Sequence, residues 1–150
     1  RAEKRREKML ISTRGRYAVR VLVDLAENEG EGYIPIKKIA ARQGISPKYL
    51  EQIMTVLSKN NLVIGIHGKG GGYRLAREPE NYSVGEVLRL TEGSLAPVSC
   101  LEPNAVVCSH RAECRTVEMW GELDKLISDF LDKKKISDLM RRDRTDNYII

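Results

Sequence analysis

From Ser12 to Asn28 the apolar residues Tyr17, Ala18, Val21, Leu22, Leu25 and Ala26 recur at three- and four-residue spacing, which predicts a helix with one buried stripe. Gly30, Gly32 and Pro35 break the chain. Ile36, Ile39 and Ala40 then make a short second helix ending at Gly44, a residue suited to a left-handed cap. Ser46 and Pro47 restart helix at once, Ser as N-cap and Pro at the first helical position, where its missing N–H costs nothing. The third helix buries Leu50, Ile53, Met54 and Leu57 and leaves Lys48, Tyr49, Glu51, Gln52 and Thr55 on or near its outer face. A short helix, a tight glycine turn and a second helix with a hydrogen-bonding outer face form the helix-turn-helix pattern, whose second helix enters a DNA major groove.

Leu62, Ile64 and Ile66 alternate as a strand, His67 to Gly72 turns, and Tyr73 and Leu75 alternate on the way back, which predicts a hairpin wing. Its glycines allow positive φ and close approach of backbone amides to phosphate, while Lys69 and Arg74 add charge. A nucleotide-cradling loop is the rival for this glycine run. It lacks the Lys-Ser/Thr pair and the helix that such a loop requires.

Ser83 and Glu86 predict a capping box for a fourth helix that carries Val87 and Leu88 and ends near Gly93. Residues 94–112 read as a loop, and a long helix follows from about Ala112 to Asp132. Along it Trp120, Leu123, Ile127 and Phe130 form a seam at 3-4-3 spacing, widened by Val117, Leu126 and Leu131. Packing against its own domain would satisfy that seam. A helix this long beyond a small completed core points instead to a homodimer. The expected fold is mainly α with a small β-hairpin wing (α+β): a winged helix-turn-helix over residues 9–93, a cysteine-bearing loop over 94–112, a dimerisation helix over 113–132 and a tail over 133–150. The charged stretch 1–8 before Met9 has nothing to pack and reads as a leader, native or foreign.

Charge supports this division. The 150 residues carry 26 Lys and Arg against 21 Asp and Glu, a net +5, and 17 of the basic but only 10 of the acidic residues fall within 1–90. The front of the chain is therefore the candidate polyanion binder. No apolar run is long enough to span a bilayer and the start has no secretory core, so the expected setting is cytoplasmic, with no membrane partner. No acid–base pair in a cleft motif, nucleophile signature or cofactor fingerprint argues for an enzyme.

Four segments in this order, Ile11–Ala18, Gly44–Gln52, Gly68–Tyr73 and Leu95–Val98, resemble the Rrf-two family of bacterial transcription regulators, from about Met9 to the end of the long helix. That family includes regulators of iron-sulfur assembly, a nitric-oxide sensor and a repressor of cysteine metabolism. The resemblance implies a twofold dimer, acting as a repressor, on imperfectly palindromic double-stranded operator DNA. It assigns base readout to Glu51 and Gln52, with Lys48 and Tyr49 beside them; Glu accepts from a cytosine amino group and Gln pairs with adenine. It makes Ser12, Thr13, Arg14 and Arg16 phosphate contacts at the start of the first helix. Relatives often carry Arg before the first wing glycine, where its guanidinium enters a narrow minor groove; here His67 takes that place, with Lys69 left as an anchor.

Cys100 and Cys108 lie in the loop over 94–112 and Cys114 at the expected start of the long helix, the region that leads into the dimer helix and where the family's sensing members hold iron-sulfur clusters. Soft thiolates bridge well to iron. The C-x7-C spacing is longer than in cluster-bearing relatives, and the family's fourth-ligand histidine aligns with Val117, leaving His110, Glu113 and Glu118 as alternatives. A Cys3His zinc site through His110, or three free thiols, are the other readings of the same residues. A relative's complex with a metabolic enzyme, cysteine synthase, offers an alternative partner, with Tyr148–Ile150 as a docking element.

Overall fold

The computed structural model describes residues 11–141; the leader, the Tyr148–Ile150 tail and most of the charged run before it lie outside them. Helix α1 (Thr13–Glu27) is N-capped by Ser12, and α2 (Ile36–Gln43) ends on Gly44 in the left-handed region at φ 66°. Helix α3 (Pro47–Lys59) starts on a Ser46 cap that accepts from Tyr49 N–H, with Pro47 in its first turn. Strands β1 (Val63–Ile66) and β2 (Gly72–Leu75) form a two-stranded antiparallel hairpin in which Val63 faces Leu75 and Ile66 faces Gly72. Helices α4 (Val84–Glu92), α5 (Val117–Lys133) and α6 (Ile136–Leu139) follow within the described residues. The architecture is a winged helix-turn-helix followed by one long helix.

One core unites it. Val21, Leu22 and Leu25 of α1 pack with Ile39, with Leu50, Ile53, Met54 and Leu57 of α3, and with Leu62, Tyr82 and Val87, all essentially without solvent contact. The hairpin is tied in by a bridge outside the sheet, where Ile34 and Tyr73 exchange two backbone hydrogen bonds of 2.9 Å. A Cβ at Gly72 would stand 2.3 Å from the Ile34 carbonyl oxygen, so this crossing demands glycine.

Three expectations need correction. The alternation in β1 does not put Leu62, Ile64 and Ile66 on one inward face: Leu62 and Val63 are buried, while Ile64 and Ile66 are 38% and 46% exposed. Leu62 still belongs to the end of α3, because Asn61 turns into positive φ and Leu62 N–H bonds back to Leu57 O. The strand begins one residue later and its parity shifts. The long helix starts at Val117, not near Ala112. Arg111–Glu113 form a separate 3-10 turn, and Cys114 is extended. The capping box at Ser83 is half formed: Ser83 accepts from Glu86 N–H, but the Glu86 carboxylate turns to a bidentate pair with Arg77.

The tail is also more than an appendage. Ile136 is fully buried in the core, Met140 packs against it, and Arg141 N–H reaches Glu27.

Candidate nucleic-acid interface and cysteine loop

The outer face of α3 is held up from beneath. Asp24, 5% exposed on α1, accepts a bidentate pair from Arg42, with Arg42 Nη2–Asp24 Oδ1 at 2.6 Å, and a 2.8 Å bond from Gln43 Nε2. Those partners occupy the last turn of α2, so one carboxylate fixes the turn of the helix-turn-helix onto α1. This contact raises the Arg42 pKa, mainly through the hydrogen bond. Tyr49 meets Tyr17 edge to face with centroids 6.1 Å apart, and Arg20 lies over the Tyr17 ring at 4.7 Å. Tyr49 is thus half-buried and braces the first turn of α3 against α1, while Lys48, Glu51 and Gln52 are exposed.

Between this face and the wing runs an open groove lined by Glu51 and Thr55 of α3, Lys37 of α2, and Ile66, His67 and Gly72 of the hairpin. The fold therefore brings Glu51 and His67 to one groove from positions sixteen residues apart. Lys37 was not foreseen as part of it, and Thr55 was read as outward-facing without a contact assigned. The i, i+4 relation of Thr55 to Glu51 is the signal that finds it. Arg74 does not share this groove: it projects from the other face of β2, 5.0 Å over the Tyr33 ring, and lines a separate cavity with Leu25, Glu29 and Arg77. Gly68 and Gly70 take positive φ in the turn that carries Lys69.

At the start of α1, Ser12 is committed internally. Its hydroxyl accepts from Gly15 N–H and donates to Glu92 of α4, which also accepts from Ser12 N–H. Thr13, Arg14 and Arg16 remain exposed, with Arg16 Nη2 3.2 Å from Thr13 Oγ1.

In the loop, Cys100, Cys108 and Cys114 are free, exposed thiols that line one small cavity of ≈ 40 Å³ together with Arg111 and Val117. His110 is not on that cavity. Cys114 has its pKa lowered, first by the Thr116 hydroxyl 3.5 Å from its sulfur, then by the backbone amides of Thr116 and Val117 at the start of α5. The donor chemistry suits a soft metal or a cluster. The three thiols do not converge into a ligand cage: among the described residues no group of three or more His, Cys, Asp or Glu is placed to hold a metal ion.

No residue of α5 is fully buried in the single chain. Of the seam, Trp120, Leu123 and Ile127 are half-buried, whereas Phe130 is 62% exposed, beside Leu126 at 68% and Met119 at 50%. Among the described residues no helix is long and apolar enough to cross a membrane.

A helix-turn-helix braced from α1, a glycine wing beside it and a long helix with apolar residues left outside define a winged-helix transcription regulator. The chain belongs to the Rrf2 family, described as an iron-dependent transcriptional regulator, whose profile matches residues 11–142. It is 42% identical over 133 residues to the protein rrf2 of Nitratidesulfovibrio vulgaris, covering 89% of this chain and 88% of that one. It is 38% identical over 132 residues to the HTH-type transcriptional regulator IscR of Aliivibrio salmonicida, covering 88% and 77%. Among solved structures it is similar to CymR, the global cysteine regulator of B. subtilis (33% identity, TM-score 0.72, covering 87% and 95%), and to T. potens IscR (34%, TM-score 0.69, covering 93% and 96%). These relatives are transcription regulators and not enzymes.

Proposed function

We propose that the protein is a homodimeric operator-binding repressor whose three cysteines hold an iron-sulfur cluster and report its state to DNA. The single observation that carries this reading is the lining of one cavity by Cys100, Cys108 and Cys114 beneath the first turn of α5. Similarity to IscR supports the same cofactor. A cluster held by Cys100, Cys108 and Cys114 would supply redox-active iron open to attack by oxidants and nitric oxide. The chain's own part is to present three thiols, with the Cys114 pKa lowered by Thr116 and the α5 amides, and to join that loop to the DNA-binding half through α5. His110 is the nearest histidine to serve as a fourth ligand if the loop folds inward on loading; a residue of a second subunit is the alternative.

On the DNA side, Glu51 and Gln52, with Lys48, read base edges, while Thr13, Arg14, Arg16 and Lys69 hold phosphates and His67 enters at the wing; Arg74, stacked over Tyr33 on the other face of β2, stays outside this set. Ser12 and Tyr49 serve this surface by capping and bracing it. The seam of Trp120, Leu123, Ile127 and Phe130, with Leu126, packs against the same helix of a second subunit across a twofold axis.

The test is an anaerobic preparation assayed for iron, sulfide and zinc, with its visible spectrum, alongside operator binding before and after the metal is removed. Iron and sulfide in the wild type, lost in Cys108→Ala together with the change in operator affinity, support the reading. Zinc alone overturns it in favour of a structural site. A metal-free protein whose DNA affinity responds to peroxide overturns it in favour of control by thiol oxidation, a reading that the exposed Cys114, its pKa lowered by Thr116, and the similarity to the oxidized form of Staphylococcus aureus CymR (31% identity, TM-score 0.69) favour.

A further inference from the structure

The wing is anchored at its root by one side chain whose backbone belongs to the junction where α5 rejoins the core. Directly after α5, Lys134 O accepts from Val84 N–H at 2.8 Å and Ile136 N–H donates to Tyr82 O at 3.1 Å, a two-bond antiparallel bridge centred on Ser83 and Lys135. Arg89 of α4 clasps Asp132 with bonds of 2.6 and 3.1 Å just before it. The end of α5 therefore cannot shift without carrying the Tyr82–Val84 backbone along.

Tyr82 itself has no solvent contact. Its hydroxyl donates to Leu62 O at 2.6 Å and accepts from Ala76 N–H and Arg77 N–H at 3.0 Å each. Leu62 immediately precedes β1 and Ala76 immediately follows β2, so this single oxygen ties both ends of the hairpin. One donated and two accepted bonds use the full capacity of a phenol, and rotation of the ring would break all three. Arg77 adds a second clamp, lying 5.1 Å over the Tyr82 ring while pairing with Glu86 of α4.

We propose that Tyr82 is a positioning residue that couples the C-terminal end of α5 to the orientation of the wing, and hence to the wing's contacts with DNA. The proposal rests on the DNA-binding reading and is independent of what the cysteines hold. A displacement of α5 moves the Tyr82 backbone, the phenol moves with it, and the hairpin root follows both ends of the strand pair at once.

The test is a double-mutant cycle on affinity for an operator duplex selected from random sequence. Asp132→Ala loosens the α5 end and Lys69→Ala removes a wing contact. With Tyr82 present, the combined loss should fall short of the product of the single losses by about threefold or more; in Tyr82→Phe, which keeps the ring, the losses should multiply to within about twofold. Amide exchange gives a second readout that does not need the Phe variant to fold well: Asp132→Ala should accelerate exchange at Ala76 and Arg77 by about tenfold. Multiplicative losses in the wild-type background, an unchanged cycle in Tyr82→Phe, or unaltered exchange at Ala76 and Arg77 would each overturn the relay while leaving DNA binding intact. Failure of the wild-type protein to bind any duplex would overturn the DNA-binding reading, and the relay with it.

Discussion

The helix-turn-helix and the cysteine loop answer to different requirements, and their construction differs accordingly. Around α3 every polar element that sets the recognition face is paired before DNA arrives: Asp24 with Arg42 and Gln43, Tyr49 with Tyr17, Ser46 with the first turn. Around the cysteines almost nothing is paired. The thiols are exposed, the Cys114 sulfur has its one hydrogen-bond partner in Thr116 at the start of α5, and α5 has no fully buried residue. A surface that docks a rigid duplex gains from pre-organisation, because the ordering entropy is lost on folding and not on binding. The sensing role proposed for this loop would gain from the opposite arrangement, since a loop with little packing of its own can take up a second state when its thiols react or bind.

The contrast is tested most severely at α5. Replacing Leu126 and Phe130 together by Glu should leave the winged domain folded, because both side chains are exposed, yet convert the protein to a monomer in sedimentation and lower operator affinity by about a hundredfold or more through loss of the second half-site. Next comes the brace. Asp24→Ala strands Arg42 and Gln43 and should cost about 2–3 kcal/mol, seen as a fall in Tm of about 5–10 °C, whereas Cys100→Ser in metal-free protein should change stability by no more than about 0.5 kcal/mol. Equal losses from the two substitutions would erase the distinction between the regions.

A smaller effect separates base readout from charge on the DNA face. Glu51→Ala should relax discrimination at one operator base pair by about 1–3 kcal/mol; Lys69→Ala should weaken binding to all sequences alike and reduce the salt slope by about 1. Uniform weakening from Glu51→Ala would remove it from base readout. The smallest effect concerns Cys114. Its pKa is lowered, so its thiolate appears at lower pH than that of an ordinary cysteine, and alkylation at Cys114 should rise on the acid side of the profile of free cysteine. Thr116→Val removes the largest cause and should move that profile part of the way back toward alkaline pH, the backbone amides keeping the remainder.

Much of the DNA-binding half was legible because it is built from local rules. Ser46, Pro47 and Gly44 announce the helix ends by capping chemistry, and the face of α3 follows from the 3.6-residue period. Errors arose where a local pattern met a tertiary demand. Leu62 was read into the strand because alternation cannot reveal that Asn61 turns the end of α3 and that Leu62 O is claimed by Tyr82 twenty residues on. The sequence offers Ser12 as a phosphate ligand because Glu92, the carboxylate to which its hydroxyl donates, lies eighty residues away. The core role of Ile136 was hidden in a short, mostly polar stretch whose burial depends on the bridge to Ser83.

Spacing along the chain thus determined the helices, the wing, the outward face of α3 and the clustering of three cysteines in one segment, since each depends on neighbours within a few turns. Tertiary structure decided which of these residues meet: Glu51 with His67 across the groove, the three thiols around one cavity, Arg74 turned away from the recognition face, and Tyr82 spanning the end of α5 and the root of the wing. The physical reason is that such meetings depend on how helices pack and cross, which is set by long-range burial of the core and not by any local preference of the residues that happen to meet.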